Sequence, residues 1–165
     1  MGAGKTTMGR QIAKRLNMAF EDSDHAIEAH TGVDIPLIFE KEGEDGFRKR
    51  EISIIDELTQ QNNLVLATGG GAILAEENRQ HLKNRGIVIY LHSDIKYLID
   101  RTRHDKNRPL LQTADPAATL RELMIIREPL YRQTADIVIN TGQQSIRTVI
   151  NTILERIKKF QDTTK

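Results

Sequence analysis

Gly2-Ala3-Gly4-Lys5-Thr6-Thr7 leads without interruption into Met8-Gly9-Arg10-Gln11-Ile12-Ala13-Lys14-Arg15-Leu16. The first six residues carry the glycines, lysine and hydroxyls of the second half of a Walker A loop. In such a loop, glycines let backbone N–H groups close around phosphates, and the positive end of the following helix adds to the attraction. The next residues put Met8, Ile12, Ala13 and Leu16 on one stripe at helical spacing, with Lys14 and Arg15 left to solvent. A helix is therefore expected from the loop onward. Lys5 would reach the β- and γ-phosphates of a nucleotide and the Thr6 hydroxyl would ligate Mg2+. A Gly-Lys-Thr triplet also occurs in ordinary surface turns. Its place before an amphipathic helix is what favours phosphate.

The full loop pattern sets a first glycine five positions before Gly4, upstream of Met1. A parallel sheet without its first strand would expose the edges of both neighbours, so a strand within about ten further upstream residues is expected.

Outward from the loop, short apolar runs at 18–21, 64–68, 87–91 and 136–140, the last three rich in Val and Ile, read as buried parallel strands. Between them lie helix-period segments, including 94–103, 118–134 and 145–160. The alternation predicts an α/β domain with a mostly parallel sheet. Two stretches break the rhythm. Residues 23–61 read as three helices punctuated by Gly32, Gly43 and Gly46, with Asp34-Ile35-Pro36 as a start signal. Residues 103–116 are polar and hold Pro109 and Pro116, which suits a binding flap rather than a helix.

Composition narrows the function. Of 165 residues, 38% are apolar and 28% charged, as in a folded domain with an aliphatic core. The net charge of +1 provides no global field for a nucleic-acid backbone, so an anion must be held by a local site. No apolar run approaches the roughly 18 residues of a membrane span. The absence of cysteine removes disulfides, zinc–thiolate sites and thiol catalysis, and no secretory signal pattern opens the sequence. The five histidines show no metal-ligand spacing.

Four further stretches bear on an acceptor. Asp22-Ser23-Asp24 ends a strand, where an open α/β sheet places its ligand crevice. On spacing alone either acid could instead cap the following helix, and capping by Ser23 would leave both acids free. Gly46-Phe47-Arg48 opens the long helix of the insertion. An arginine there offers a planar fork for a carboxylate, or, beside Lys49 and Arg50, simply belongs to a charged helix face. Gly69-Gly70-Gly71 follows the run 64–68. Close approach of backbone to a ligand, or a tight turn, would explain three entropically costly glycines. Arg127-Glu128-Pro129-Leu130-Tyr131 lies inside a helical pattern, and Pro129 should kink that helix or end one hydrogen-bonded stretch of it.

Together with the phosphate loop and with Arg108-Pro109-Leu110-Leu111, these motifs resemble the shikimate kinase family in order and spacing over essentially the whole chain. The resemblance implies a three-layer α/β/α P-loop kinase fold. Its five-stranded parallel sheet would have its first strand upstream of or at Met1. It further implies a single domain over residues 1–165, with an acceptor-binding insertion at about 23–61 and a lid at about 103–116. The implied reaction is ATP-dependent phosphorylation of shikimate to shikimate 3-phosphate, on the route to chorismate and the aromatic amino acids. A cytoplasmic monomer would carry it out, with ATP and shikimate as partners and no nucleic acid or membrane.

Residue roles follow from the same resemblance. Nucleotide binding falls to Gly2, Ala3, Gly4, Lys5, Thr6, Thr7, Arg101, Arg108 and Gln144. One Mg2+ per subunit falls to Thr6 and Asp22, and the acceptor to Asp24, Arg48, Gly70 and Arg127. Catalysis falls to Lys5, Asp22 and Arg108, with Asp22 or Asp24 open as the group that takes the hydroxyl proton. The loop and insertions would also suit a gluconate or nucleoside monophosphate kinase, or a catalytically dead nucleotide-binding module. Against a nucleotide acceptor, 23–61 offers Phe39, Phe47 and mostly charge. Against a dead module, Lys5, Thr6, Asp22 and Arg108 all keep chemically competent types.

Overall fold

In the computed structural model, which describes residues 2–102 and 109–163, helices and strands alternate along the chain. Helix α1 (Lys5–Leu16) starts at the loop lysine and ends at Asn17, whose left-handed backbone closes onto the Ala13 carbonyl. Strand β1 (Ala19–Asp22) pairs in parallel with β2 (Leu64–Ala67), setting Asp22 opposite Ala67. Strand β3 (Ile89–His92) pairs in parallel with β4 (Ile137–Asn140), setting His92 opposite Asn140. The predicted run 87–91 extends too far back for a local reason. The Val88 N–H donates to the Asp136 carboxylate at 2.7 Å instead of to a strand partner.

The described residues do not form the expected five-stranded sheet. Their four strands stand as two parallel pairs, β1–β2 and β3–β4. A cavity of about 420 Å3 lies between the pairs, lined by Val65 and Ala67 on one side, Val88 and Ile89 on the other, and Ile12 and Ile153 from the flanking helices. Its wall is largely the apolar flank of both pairs.

Helix α2 (Ser23–Thr31) and helix α3 (Ile35–Thr59) cover the β1–β2 pair, burying Ile27, Ile38, Phe47, Ile54 and Leu58 together. The three helices expected here are present: α2, and the two helical stretches of α3 on either side of a non-helical break at Gly43 (φ 71, ψ −176). The long helical half thus resumes at Glu44 rather than Gly46. Asp34 caps α3 by accepting from the Leu37 N–H, and Pro36 sits in the first turn, where its missing donor is harmless. Helix α4 (Glu76–Arg85) follows a short 3-10 turn at Ala72–Leu74.

On the other pair, helix α7 (Ile146–Thr163) and α1 bury Val149, Ile150 and Ile153 with Met8, Ile12, Ile137 and Ile139. Helix α5 (Ile95–Thr102) precedes residues 103–108, which lie outside the described residues and contain Arg108 and the first part of the predicted flap. A 3-10 turn at Pro109–Leu111 follows, with Leu111 buried beside Ala3, Leu98 and Leu120. Helix α6 (Pro116–Thr134) begins two residues before the predicted start. Pro116 occupies the first turn as the Asp115 side chain accepts from the Ala118 N–H, so this proline opens a helix rather than ending a flap. Helix α6 continues through Pro129, which sits on an exposed face and cannot donate the backbone bond to the Ile125 carbonyl.

Candidate active site

The loop ends where its chemistry starts. Gly4 adopts a left-handed backbone ahead of α1, and its carbonyl accepts from the Met8 N–H at 3.0 Å. Ala3 is buried in the cluster with Leu98, Leu111 and Leu120, which ties the loop to α5 and α6. Arg101 on α5 donates to the Gly2 carbonyl at 3.4 Å, placing that arginine beside the loop. Thr7 lies exposed in the first turn of α1, and Lys5 lines a cavity shared with Gly69, Gly70 and Tyr131.

Thr6 Oγ1 donates to Asp22 Oδ2 at 2.7 Å, so the two residues expected to hold a metal are already in contact. The other Asp22 oxygen accepts from the Asp24 N–H at 3.1 Å. Asp22 is therefore the cap of α2, and the alternative in which Ser23 caps is corrected. Fully buried Ser23 instead accepts from the Gly69 N–H at 3.0 Å, stitching the end of β1 to the triple-glycine turn.

Steric clearance explains two of the three glycines. A Cβ on Gly69 would stand 2.7 Å from Asp24 Oδ1 and 2.9 Å from Glu51 Oε1. On Gly71 it would fall 2.2 to 2.4 Å from three atoms of the Arg48 guanidinium, although the Gly71 backbone (φ −88) is one any residue adopts. The Gly70 carbonyl accepts from the Tyr131 hydroxyl at 2.5 Å. Asp24, Arg48 and Tyr131 thus all converge on this turn.

Arg48 Nη1 donates to Glu51 Oε2 at 2.7 Å, while its Nε and Nη2 donate to Glu44 Oε1 at 3.2 and 2.8 Å. Burial works against the Arg48 charge, but Glu51 and Glu44 outweigh it and hold its pKa above the ordinary value. Glu51 is only 1% exposed, and burial lifts its carboxyl pKa despite Arg48. Arg127 is 2% exposed and lies against the Tyr131 hydroxyl. Burial lowers its pKa, the nearby charge of Arg48 adding to the effect, yet a guanidinium stays charged at neutral pH. Among the described residues Arg127 Nε has no hydrogen-bond partner. A buried cation with an unanswered donor favours an incoming anion. Tyr131 is held in place by Tyr90, whose ring stacks on it at 4.9 Å and whose own hydroxyl is pushed up to about 12 by burial and then by Glu128.

Glu44 and Glu51 escaped the sequence reading, and Tyr131 was read only as part of the motif at 127–131, with no role of its own. Each carries a signal at helical contact spacing, four before and three after Arg48 and four after Arg127. Gln144 is exposed in the loop after β4. Its neighbour Gln143 donates to the Tyr97 hydroxyl at 2.7 Å and so lays that loop against α5, the helix carrying Arg101. Phe39 and Phe47 pack on each other, ring centres 4.9 Å apart, and Phe47 is in the core, so they form no slot for a base.

A glycine-rich loop opening a helix at the carboxyl ends of parallel strands, its lysine lining a cavity beside the triple-glycine turn, is the architecture of the P-loop phosphotransferases. Residues 1–158 match the family model described as shikimate kinase. The shikimate kinase of Bordetella pertussis is 55% identical over 161 residues, covering 98% of this chain and 76% of that protein. The structure of shikimate kinase from Acinetobacter baumannii in complex with shikimate aligns with a TM-score of 0.94 and 53% identity, over 96% of this chain and 89% of that one. Shikimate kinase from Aquifex aeolicus aligns with a TM-score of 0.82 and 33% identity, over 96% and 92% of the two chains. The chain belongs to the shikimate kinase family, and its activity is the ATP-dependent phosphorylation of shikimate.

Proposed function

We propose that the chain converts shikimate to shikimate 3-phosphate with Arg48 and Arg127 as a two-armed clamp on the acceptor carboxylate. The observation carrying this is the partly buried Arg48 guanidinium over Gly71, with buried Arg127 within reach of its charge and Asp24 against Gly69 of the same turn. The Acinetobacter baumannii relative was solved with shikimate bound, which supports a shared acceptor. Asp24 holds ring hydroxyls, and the ring rests on Gly70. The backbone of residues 2–7 cradles the ATP phosphates, Lys5 reaches their β- and γ-groups, and Arg101 and Gln144 flank the base. Arg108, outside the described residues, belongs to the same proposal as the lid arginine that stabilises transferred charge.

One Mg2+ per subunit fits the Thr6–Asp22 pair. Both offer hard oxygens, 2.7 Å apart, and Mg2+ is commonly held by one or two such side chains together with phosphates. When bound it neutralises charge on the phosphates. The protein's own work is positioning: Arg48, Arg127 and Asp24 fix the acceptor so that its hydroxyl faces the γ-phosphorus. The hydroxyl proton leaves late, to Asp22 or Asp24, an effect of about 10² to 10⁴ in rate.

The finer architecture belongs to the same proposal. A fifth parallel strand between β2 and β3 would fill the 420 Å3 cavity and lead into Gly2, completing a single P-loop kinase domain over residues 1–165 with its insertion at about 23–61 and lid at about 103–116. The enzyme acts as a monomer in the cytoplasm, where ATP is supplied, and feeds the route to chorismate. Arg127→Ala tests the clamp. It should raise KM for shikimate steeply and leave nucleotide affinity nearly intact, since hydrogen bonds to charged groups contribute roughly 1.5 to 3 kcal/mol each. Equal losses for both ligands would refute the assignment.

A further inference from the structure

Two carboxylates of the same helix already engage Arg48, and they do so differently. Glu51 takes Nη1 alone. Glu44 takes the other edge, where Nε and Nη2 both donate to its single oxygen Oε1, at 3.2 and 2.8 Å. That edge is the two-donor fork with which an arginine grips a carboxylate bidentately. Glu44 therefore occupies the bidentate edge with one oxygen, where an incoming carboxylate would bring two.

The two acids also differ in how readily they yield. Glu51 is 1% exposed and packed over Gly69, so parting it from Arg48 would strand a buried charge. Glu44 is 43% exposed and is the first residue after the break at Gly43. It can turn out into water, where its charge is solvated. Its charge also bears on Arg127, so it lies within the field of both clamp arginines.

We infer that Glu44 is a built-in stand-in for the acceptor's carboxylate: it fills the Arg48 fork, and shikimate must displace it to bind. Glu51 keeps Nη1 throughout and holds the guanidinium over Gly71. The inference rests on Arg48 being a carboxylate clamp, as proposed above. Its cost is that of breaking a half-exposed ion pair, which corresponds to about a two- to fivefold weakening of acceptor affinity.

The test is the dissociation constant for shikimate, measured by titration calorimetry on Glu44→Gln, Glu44→Ala, Arg48→Ala and the Glu44→Gln/Arg48→Ala double variant. Both Glu44 variants should bind shikimate about two- to fivefold more tightly. The gain should vanish in the Arg48→Ala background and for a ring analogue lacking the carboxylate. Unchanged or weaker shikimate binding in both Glu44 variants, with Arg48→Ala clearly weakened, overturns the inference and leaves the clamp standing. A gain that persists without Arg48, or with the analogue, also overturns it. Arg48→Ala that binds shikimate as tightly as the parent protein removes the clamp itself, and the inference with it.

Discussion

Gly71→Ala isolates the geometry on which acceptor binding depends. The Gly71 backbone suits alanine (φ −88, ψ −12), so the substitution adds one methyl group without straining the chain. That methyl group would sit 2.2 Å from Arg48 Nη2 and 2.3 Å from Nη1, against an ordinary contact of 3.4 Å or more. The guanidinium must retreat by roughly 1 Å, and a misplacement of that size in a positioning residue costs about 10² in rate. The retreat also strains the 2.7 Å bond to buried Glu51. A hydrogen bond to a charged group contributes roughly 1.5 to 3 kcal/mol, and the reduced freedom of the unfolded chain returns about 0.4 to 1 kcal/mol. Net destabilisation of about 1 to 2 kcal/mol should lower Tm by roughly 2 to 8 °C for a chain of this length. In an ADP-release assay, kcat/KM for shikimate should drop about 10²-fold with KM for ATP unchanged. A folded Gly71→Ala enzyme with the parent's kcat/KM for shikimate would refute the reasoning.

Other perturbations separate the remaining parts. Lys5→Ala should abolish turnover while calorimetry still detects shikimate binding; unchanged turnover would end the phosphate-loop assignment. Tyr131→Phe leaves the Gly70 carbonyl without its donor and should cost about 1 to 3 kcal/mol in denaturant unfolding, with a raised KM for shikimate. Burial lifts the Glu51 carboxyl above its ordinary value of 4.5, with Arg48 opposing, so the native state holds this proton more tightly than the unfolded chain. The resulting stabilisation is full below 4.5 and is lost as pH rises through the raised native value. Glu51→Gln cannot ionise and should flatten the pH dependence of Tm in the window just above 4.5. An identical slope in both proteins would count against the raised value.

What was legible in the sequence was whatever local spacing determines. Helix α1 appears at Lys5–Leu16 as expected, because an apolar stripe and a preceding glycine loop suffice to define it. The last three strand runs were found because β-branched clusters mark buried parallel strands, with an end displaced where the Asp136 side chain takes over a backbone donor. The break at Gly43 was legible as a boundary between two helices, but the restart at Glu44 rather than Gly46 was not, since glycine signals freedom and not direction. Choosing between Asp22 and Ser23 as the cap needed the position of Thr6, sixteen residues away. The meaning of Gly71 was hidden for a similar reason: its neighbour in space is Arg48, on another element. Glu44 and Glu51 carried the right spacing, but on a charged helix that spacing is common, and only burial distinguishes Glu51 from Lys49 or Arg50.

Acceptor-dependent ADP release from ATP and Mg2+, compared for shikimate, gluconate and nucleoside monophosphates, bears on the assignment without intermediaries. Release should saturate with shikimate, and phosphorus NMR of the product should show one phosphate monoester on the ring 3-oxygen. Gluconate and the nucleotides should give no release above the acceptor-free background. Turnover driven by gluconate or a nucleotide, or none with shikimate, would show that the clamp of Arg48 and Arg127 serves a different acceptor.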